Sequence, residues 1–210
     1  MKLYDLFEEC LRIPYSQSGG SANYATRRAG DTLYIFFESS DGDADWKVNM
    51  DFPAKAYKRM GRTVWLAHRG FLTAWKQTEP LLADAIADKT VGRIIITGYS
   101  HGAAIAVLCH EYVWFNRPDL RPFLEGYGFG CPRVLWGMRS AAVRQRWAGF
   151  SVIRNIDDAI THLPPAALGY FHVGNMLEIG KKGKYSPIDA HRSENILSEL
   201  AAYEGIYAPV

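Results

Sequence analysis

The chain has 210 residues, of which 48% are hydrophobic and 22% charged, and 24 basic against 22 acidic residues leave a formal net charge of +2. That length suits one domain burying roughly 70% of the surface its unfolded chain would expose, and the composition excludes disorder, collagen-like repeats and heptads. Its charges form no basic block, so nucleic acid is not expected as a partner, and Cys10, Cys109 and Cys131 lack the Cys-x-x-Cys spacing of zinc or redox motifs and read as buried thiols.

Met1 to Leu11 carries Asp5, Glu8 and Glu9 where a secretory signal needs an apolar run behind basic residues; no export signal is visible, and a cytoplasmic location is the default expectation. Thr32 to Phe37 is apolar, β-branched or aromatic on both faces, the pattern of a central strand covered on both sides. Asp41 to Arg62 is polar and broken by Gly42, Pro53 and Gly61, so a surface excursion is expected, with a short strand resuming at Thr63 to Ala67. Phe71 to Ala87 places Phe71, Leu72, Trp75, Leu82, Ala85 and Ile86 near helical spacing, with Pro80 expected to kink or split the helix. Arg93 to Thr97 holds three consecutive isoleucines and reads as a strand. Beyond Gly98 and Gly102 a helix is expected over Ala103 to Phe115, with Ile105, Leu108, Cys109 and Tyr112 on one stripe. Strands are expected again near Glu125 to Phe129, Phe150 to Asn155 and Tyr170 to Ile179, and Asp189 to Tyr203 closes the chain as a helix. This alternation implies an α/β fold, a mostly parallel central sheet flanked by helices, in a single domain over 1–210 with sites at the strands' carboxyl ends. Apolar runs such as Ala103 to Leu108 fall far short of the roughly 20 residues that cross a bilayer, so no transmembrane segment is expected.

Gly98, Tyr99, Ser100, His101 and Gly102 form Gly-x-Ser-x-Gly between an apolar strand and a helix, the setting that presents a serine hydroxyl to a substrate. Such a turn puts the backbone N–H of His101 at a helix amino terminus, where it can donate to the oxyanion of a tetrahedral intermediate. A serine becomes a nucleophile when a histidine takes its proton, and that histidine needs a carboxylate to fix its tautomer. The order Ser, acid, His of α/β-hydrolases excludes His68 and disfavours His101 and His110, which precede any suitable acid. Asp157 or Asp158 remains as acid, and His162, His172 or His191 as base.

Several segments, in order, resemble the class 3 lipase family, the fungal-lipase-like branch of the α/β-hydrolases. Phe37 to Ser40 with Asp45 and Trp46 looks like its Phe-Arg-Gly-Thr/Ser segment and tryptophan, and His68 to Phe71 like its His-Lys-Gly-Phe element. Ile96 to Gly102 is similar to its Thr-Gly-His-Ser-Leu-Gly elbow, and Gly128 to Val134 to its Gly-x-Pro-Arg-Val strand end. Asp158 to Pro165 is similar to its Asp-x-Val-Pro-x-Leu-Pro-Pro loop, and Tyr170 to Gly174 to its aromatic-x-His-x-Gly segment. The resemblance runs from about Thr32 to the carboxyl terminus and implies an α/β-hydrolase fold and a serine ester hydrolase. It implies Ser40 as first oxyanion donor, through hydroxyl and backbone N–H, and His101 as second. Counting back from Pro164 and Pro165 then selects Asp158 as acid and leaves Asp157 to cap a loop. The family carries non-catalytic histidines where His162 and His172 stand, which leaves His191, in a late loop before the last helix, as base.

The expected activity is hydrolysis of carboxylic esters through Ser100, Asp158, His191 and an acyl-enzyme, on acylglycerols or short to medium chain esters. A non-catalytic lipid-binding protein or an acyltransferase on the same fold is the alternative. No cofactor or metal is expected; the expected partners are a small-molecule or lipid ester substrate and, at most, a transiently touched lipid surface. Tyr99 and His101 stand where the family has His and Leu, and are expected to make the mouth of the site more polar. The segment 41–62 takes the place of a lid, yet offers only a weak apolar face around Val48, Met50 and Phe52.

Overall fold

A computed structural model of the chain describes residues 2–16, 22–39 and 52–203. In chain order these form helix α1 (Leu3–Arg12), strands β1 (Tyr24–Ala29) and β2 (Thr32–Phe37), the hairpin of β3 (Ala54–Arg59) and β4 (Arg62–His68), and helix α2 (Arg69–Ala87). Strand β5 (Arg93–Tyr99), helix α3 (His101–Asn116), strands β6 (Leu124–Phe129) and β7 (Leu135–Trp136), helix α4 (Ala141–Arg146) and strand β8 (Phe150–Asn155) follow. Strands β9 (Tyr170–Phe171) and β10 (Asn175–Ile179) and helix α5 (Ser193–Ala202) complete the set.

The main sheet has the order β1-β2-β5-β6-β8-β10, with β1 antiparallel to β2 and every other pairing parallel. A strand sends neighbouring side chains to opposite faces, so an apolar run without alternation feeds two cores at once. Leu33, Ile35, Phe37, Ile94 and Ile96 join one core with α2 and α3, while Phe36, Ile95, Phe129 and Ile153 join a second with α1 and α5. The expected α/β architecture, a mostly parallel sheet flanked by helices, is present. Four further strands make an antiparallel sheet in the order β3-β4-β7-β9.

Four local readings differ from expectation, each for a physical reason. Helix α2 runs through Pro80 without a break. Trp75, Leu82 and Ile86 are buried on both sides of the proline, and burial of each contributes about 1.5–3 kcal/mol against about 3 kcal/mol for an interior proline. Helix α3 is buried all round from Ala103 to Glu111 rather than along one stripe, because the sheet covers one side while α2, Arg59 and Arg146 cover the others. Ala54 to Arg59, expected within a polar excursion, is strand β3, joined to β4 by a two-residue turn in which Met60 and Gly61 both have positive φ, 48° and 76°. Lys55 and Lys58 are exposed on this edge strand and Tyr57 alone is buried, so its composition mimics a loop. Tyr170 to Ile179 is cut at Gly174 (φ +68°), where a Cβ would stand 2.1 Å from the Phe150 carbonyl oxygen, into β9 of one sheet and β10 of the other. Residues 41–51, which carry Val48 and Met50 of the lid-like segment, lie outside the described residues.

Candidate active site

Strand β5 ends at Tyr99 and helix α3 begins at His101, so Ser100 alone makes the turn, with φ 54° and ψ −117°. A non-glycine residue held there costs about 1–3 kcal/mol, and the surrounding contacts must enforce it. They do so through the two flanking glycines. A Cβ on Gly98 would stand 2.3 Å from the carbonyl oxygen of Gly102, and one on Gly102 would stand 2.3 Å from that of Phe37. The backbone N–H of Ser100 donates to the Phe129 carbonyl at 2.9 Å, which ties the turn to β6.

Asp158 follows β8 and is fully buried. Its Oδ1 accepts the backbone N–H groups of Ile160 (2.9 Å) and Thr161 (3.4 Å), and its carbonyl accepts the Thr161 hydroxyl at 2.8 Å. That leaves Oδ2 for Nδ1 of His191, 2.8 Å away. Nε2 of the same imidazole is 2.8 Å from Oγ of Ser100. A carboxylate accepts only, so Nδ1 carries the proton and Nε2 is left as the acceptor for the serine hydroxyl. Strand ends β5 and β8 and the turn Asp189–His191 before α5 thus bring Ser100, Asp158 and His191 into one chain of hydrogen bonds.

Two contacts to His191 had no counterpart in the sequence reading. Gly130, at φ +58°, lies against its ring: a Cβ there would stand 2.8 Å from Cε1. Tyr99, expected to add polarity to the mouth, instead donates its hydroxyl to the His191 carbonyl at 2.6 Å. The side chain of His101, expected to do the same, is buried edge-on against Phe71 with ring centroids 5.5 Å apart, and its backbone stands at the amino end of α3. Ser40, the other expected oxyanion donor, lies outside the described residues.

The neighbouring candidates take other roles. The Asp157 carboxylate accepts the backbone N–H groups of Gly183 (3.0 Å) and Lys184 (3.1 Å), which hold its carboxyl below the usual value, and it caps that loop. His172 lies 2.8 Å from the Thr161 carbonyl, and burial with the nearby Arg133 pushes it down to about 4. His162 sits beside Arg154 and Arg133, and burial with those charges lowers it too. Nδ1 of His68 accepts the Phe71 backbone N–H at 3.4 Å and caps α2. Among the described residues, no group of three or more His, Cys, Asp or Glu side chains could hold a metal ion. Cys10, Cys109 and Cys131 are buried free thiols.

The family described as lipase (class 3) matches residues 34–168. A secreted mono- and diacylglycerol lipase from Fusarium solani is 29% identical over 161 residues, covering 75% of this chain and 46% of that protein. A solved fungal lipase–inhibitor complex superposes with a TM-score of 0.69 at 25% identity, covering 80% of this chain and 66% of that one. A triacylglycerol lipase whose catalytic centre is a serine protease triad superposes at 0.64, also 25% identical, covering 76% and 62%. The chain spans less than half the length of the curated relatives it matches. These neighbours share the α/β-hydrolase fold. His191 lies beyond residues 34–168 of the family match, and its place in the site rests on geometry. The cytoplasmic expectation is corrected by the same comparison, in which the Fusarium relative is a secreted lipase. Among the described residues no helix is long and apolar enough to cross a membrane.

Proposed function

This chain belongs to the class 3 lipase family, and we propose on that premise that it hydrolyses carboxylic esters, acylglycerols first among them, through Ser100, His191 and Asp158. The observation that carries the reading is the relay of two 2.8 Å contacts from Ser100 Oγ to His191 and from His191 to Asp158. His191 Nε2 takes the serine proton as Oγ attacks the ester carbonyl, and buried Asp158 stabilises the imidazolium that forms. The backbone N–H of His101, at the positive end of α3, and the hydroxyl and N–H of Ser40 receive the oxyanion. His191 then gives its proton to the leaving alcohol. Water, deprotonated by the same nitrogen, attacks the acyl-enzyme and releases the acid.

An acylglycerol substrate is supported by the mono- and diacylglycerol lipase and triacylglycerol lipase among the related proteins. Contact with a lipid surface is then transient, made as substrate is drawn from it. The test is hydrolysis of p-nitrophenyl esters from acetate to palmitate, and of an emulsified triacylglycerol, by wild type and Ser100→Ala. Wild-type turnover reduced by at least about 10⁴-fold in the variant is the expected result, since losing the nucleophile removes the covalent route. A wild-type protein inert on every ester, with and without detergent, would overturn the reading.

A further inference from the structure

Tyr99 closes a second link between the nucleophile turn and the loop of His191. Its hydroxyl donates to the His191 main-chain carbonyl at 2.6 Å, and its ring lies against the imidazole with centroids 5.4 Å apart at 30°. We propose that Tyr99 is a positioning residue which latches the backbone of His191 to the strand end that carries Ser100; the inference rests on the ester-hydrolase reading above.

The base needs such a latch. His191 ends a single 3-10 turn, Asp189–His191, and the preceding loop contains Gly180 and Gly183 at positive φ. The amides of Asn195 and Ile196, the third and fourth residues of α5, bond to the carbonyl of Arg192, and among the described residues no backbone N–H of α5 bonds to the His191 carbonyl that the phenol takes. Asp158 and Ser100 contact the two ring nitrogens, and Gly130 lies against the ring edge. Those contacts aim the imidazole, and the Tyr99 bond holds its backbone. Tyr99 is itself fixed, as the last residue of β5, with its ring edge-on to Phe7 of α1 (5.5 Å), which stacks on Phe129 (4.3 Å). Burial raises the phenol well above its ordinary value, so it remains a protonated donor wherever His191 works as a base. A nucleophile and base displaced by about 1 Å lose about 100-fold in rate, which gives this contact kinetic weight beyond its contribution to folding.

Tyr99→Phe keeps the ring and removes only the hydroxyl. Its kcat on p-nitrophenyl butyrate, per active site titrated with a phosphonate ester, is expected to fall about 10-fold with KM changed less than about twofold. The low-field proton resonance of the His191–Asp158 hydrogen bond is expected to broaden. Tyr99→Leu, which also removes the ring, is expected to fall further. A Tyr99→Phe protein with wild-type kcat per titrated site and an unchanged low-field resonance would overturn the inference even if its Tm dropped, because a purely structural contact lowers Tm without slowing each folded site. Failure of the underlying reading is separately visible as a wild-type protein that neither hydrolyses the ester nor takes up the phosphonate, and that result would remove both.

Discussion

Asp157 and Asp158 are neighbours at the end of β8, and direction alone separates their roles. Asp157 turns outward to the N–H groups of Gly183 and Lys184, while Asp158 is fully buried and turns to Nδ1 of His191. Asp158→Asn offers an amide N–H or a weaker acceptor in place of the carboxylate, so kcat on a soluble ester is expected to fall about 10³- to 10⁴-fold. Asp157→Asn is expected to leave kcat nearly unchanged and to lower Tm, since the loop 183–185 loses charged hydrogen bonds. Equal losses of kcat in both variants would contradict the assignment. The serine turn was legible because glycines at 98 and 102 answer to local backbone clashes. Motif order left two adjacent aspartates and three late histidines open, and only the resemblance to the class 3 lipase family chose Asp158 and His191 among them. The Tyr99–His191 bond spans 92 residues, and no spacing in the sequence points to it.

Strands β2 and β5 were legible as elements because they are apolar on both faces and bury both. Strand β3 was not, because an edge strand guarded by Lys55 and Lys58 has the composition of a loop. Helix α1 escaped notice although Leu3, Leu6, Phe7 and Cys10 recur at helical spacing and are all buried. The hairpin, α3 and α4 are held together by charge rather than apolar contact alone. Glu111, fully buried on α3, pairs with Arg59 of β3 at 3.0 Å and with Arg146 of α4. Glu111→Ala leaves Arg146 without its carboxylate and Arg59 with Glu79 alone, 3.5 Å away, and is expected to cost about 3–5 kcal/mol, read from the urea midpoint. An unchanged midpoint would show that the aromatic rings around those guanidiniums hold them unaided.

At the scale of the whole molecule, two cores sandwich one sheet, and the Ser100–Asp158–His191 relay lies where strand ends meet a loop from the last helix. That architecture buries His110 completely beside Phe150, with no hydrogen-bond partner for either nitrogen among the described residues. Burial pushes its pKa from 6.5 down to about 3, and that of His172 to about 4. Below about pH 6.5 the unfolded chain therefore binds protons that the folded protein refuses. The stability these neutral rings contribute is complete above that pH and is lost as the pH falls toward 3. His110→Leu is expected to flatten the acid limb of the unfolding free energy between pH 6 and 4 by about 1.4 kcal/mol per pH unit; parallel curves for the two proteins would contradict it. The central claim concerns one hydroxyl activated by this assembly, and intact-mass spectrometry after exposure to a p-nitrophenyl alkylphosphonate tests it most directly. A single adduct that maps to Ser100, is absent from Ser100→Ala and forms far more slowly in His191→Ala is the predicted result. An unmodified wild-type protein, or an adduct that persists in Ser100→Ala, would contradict it.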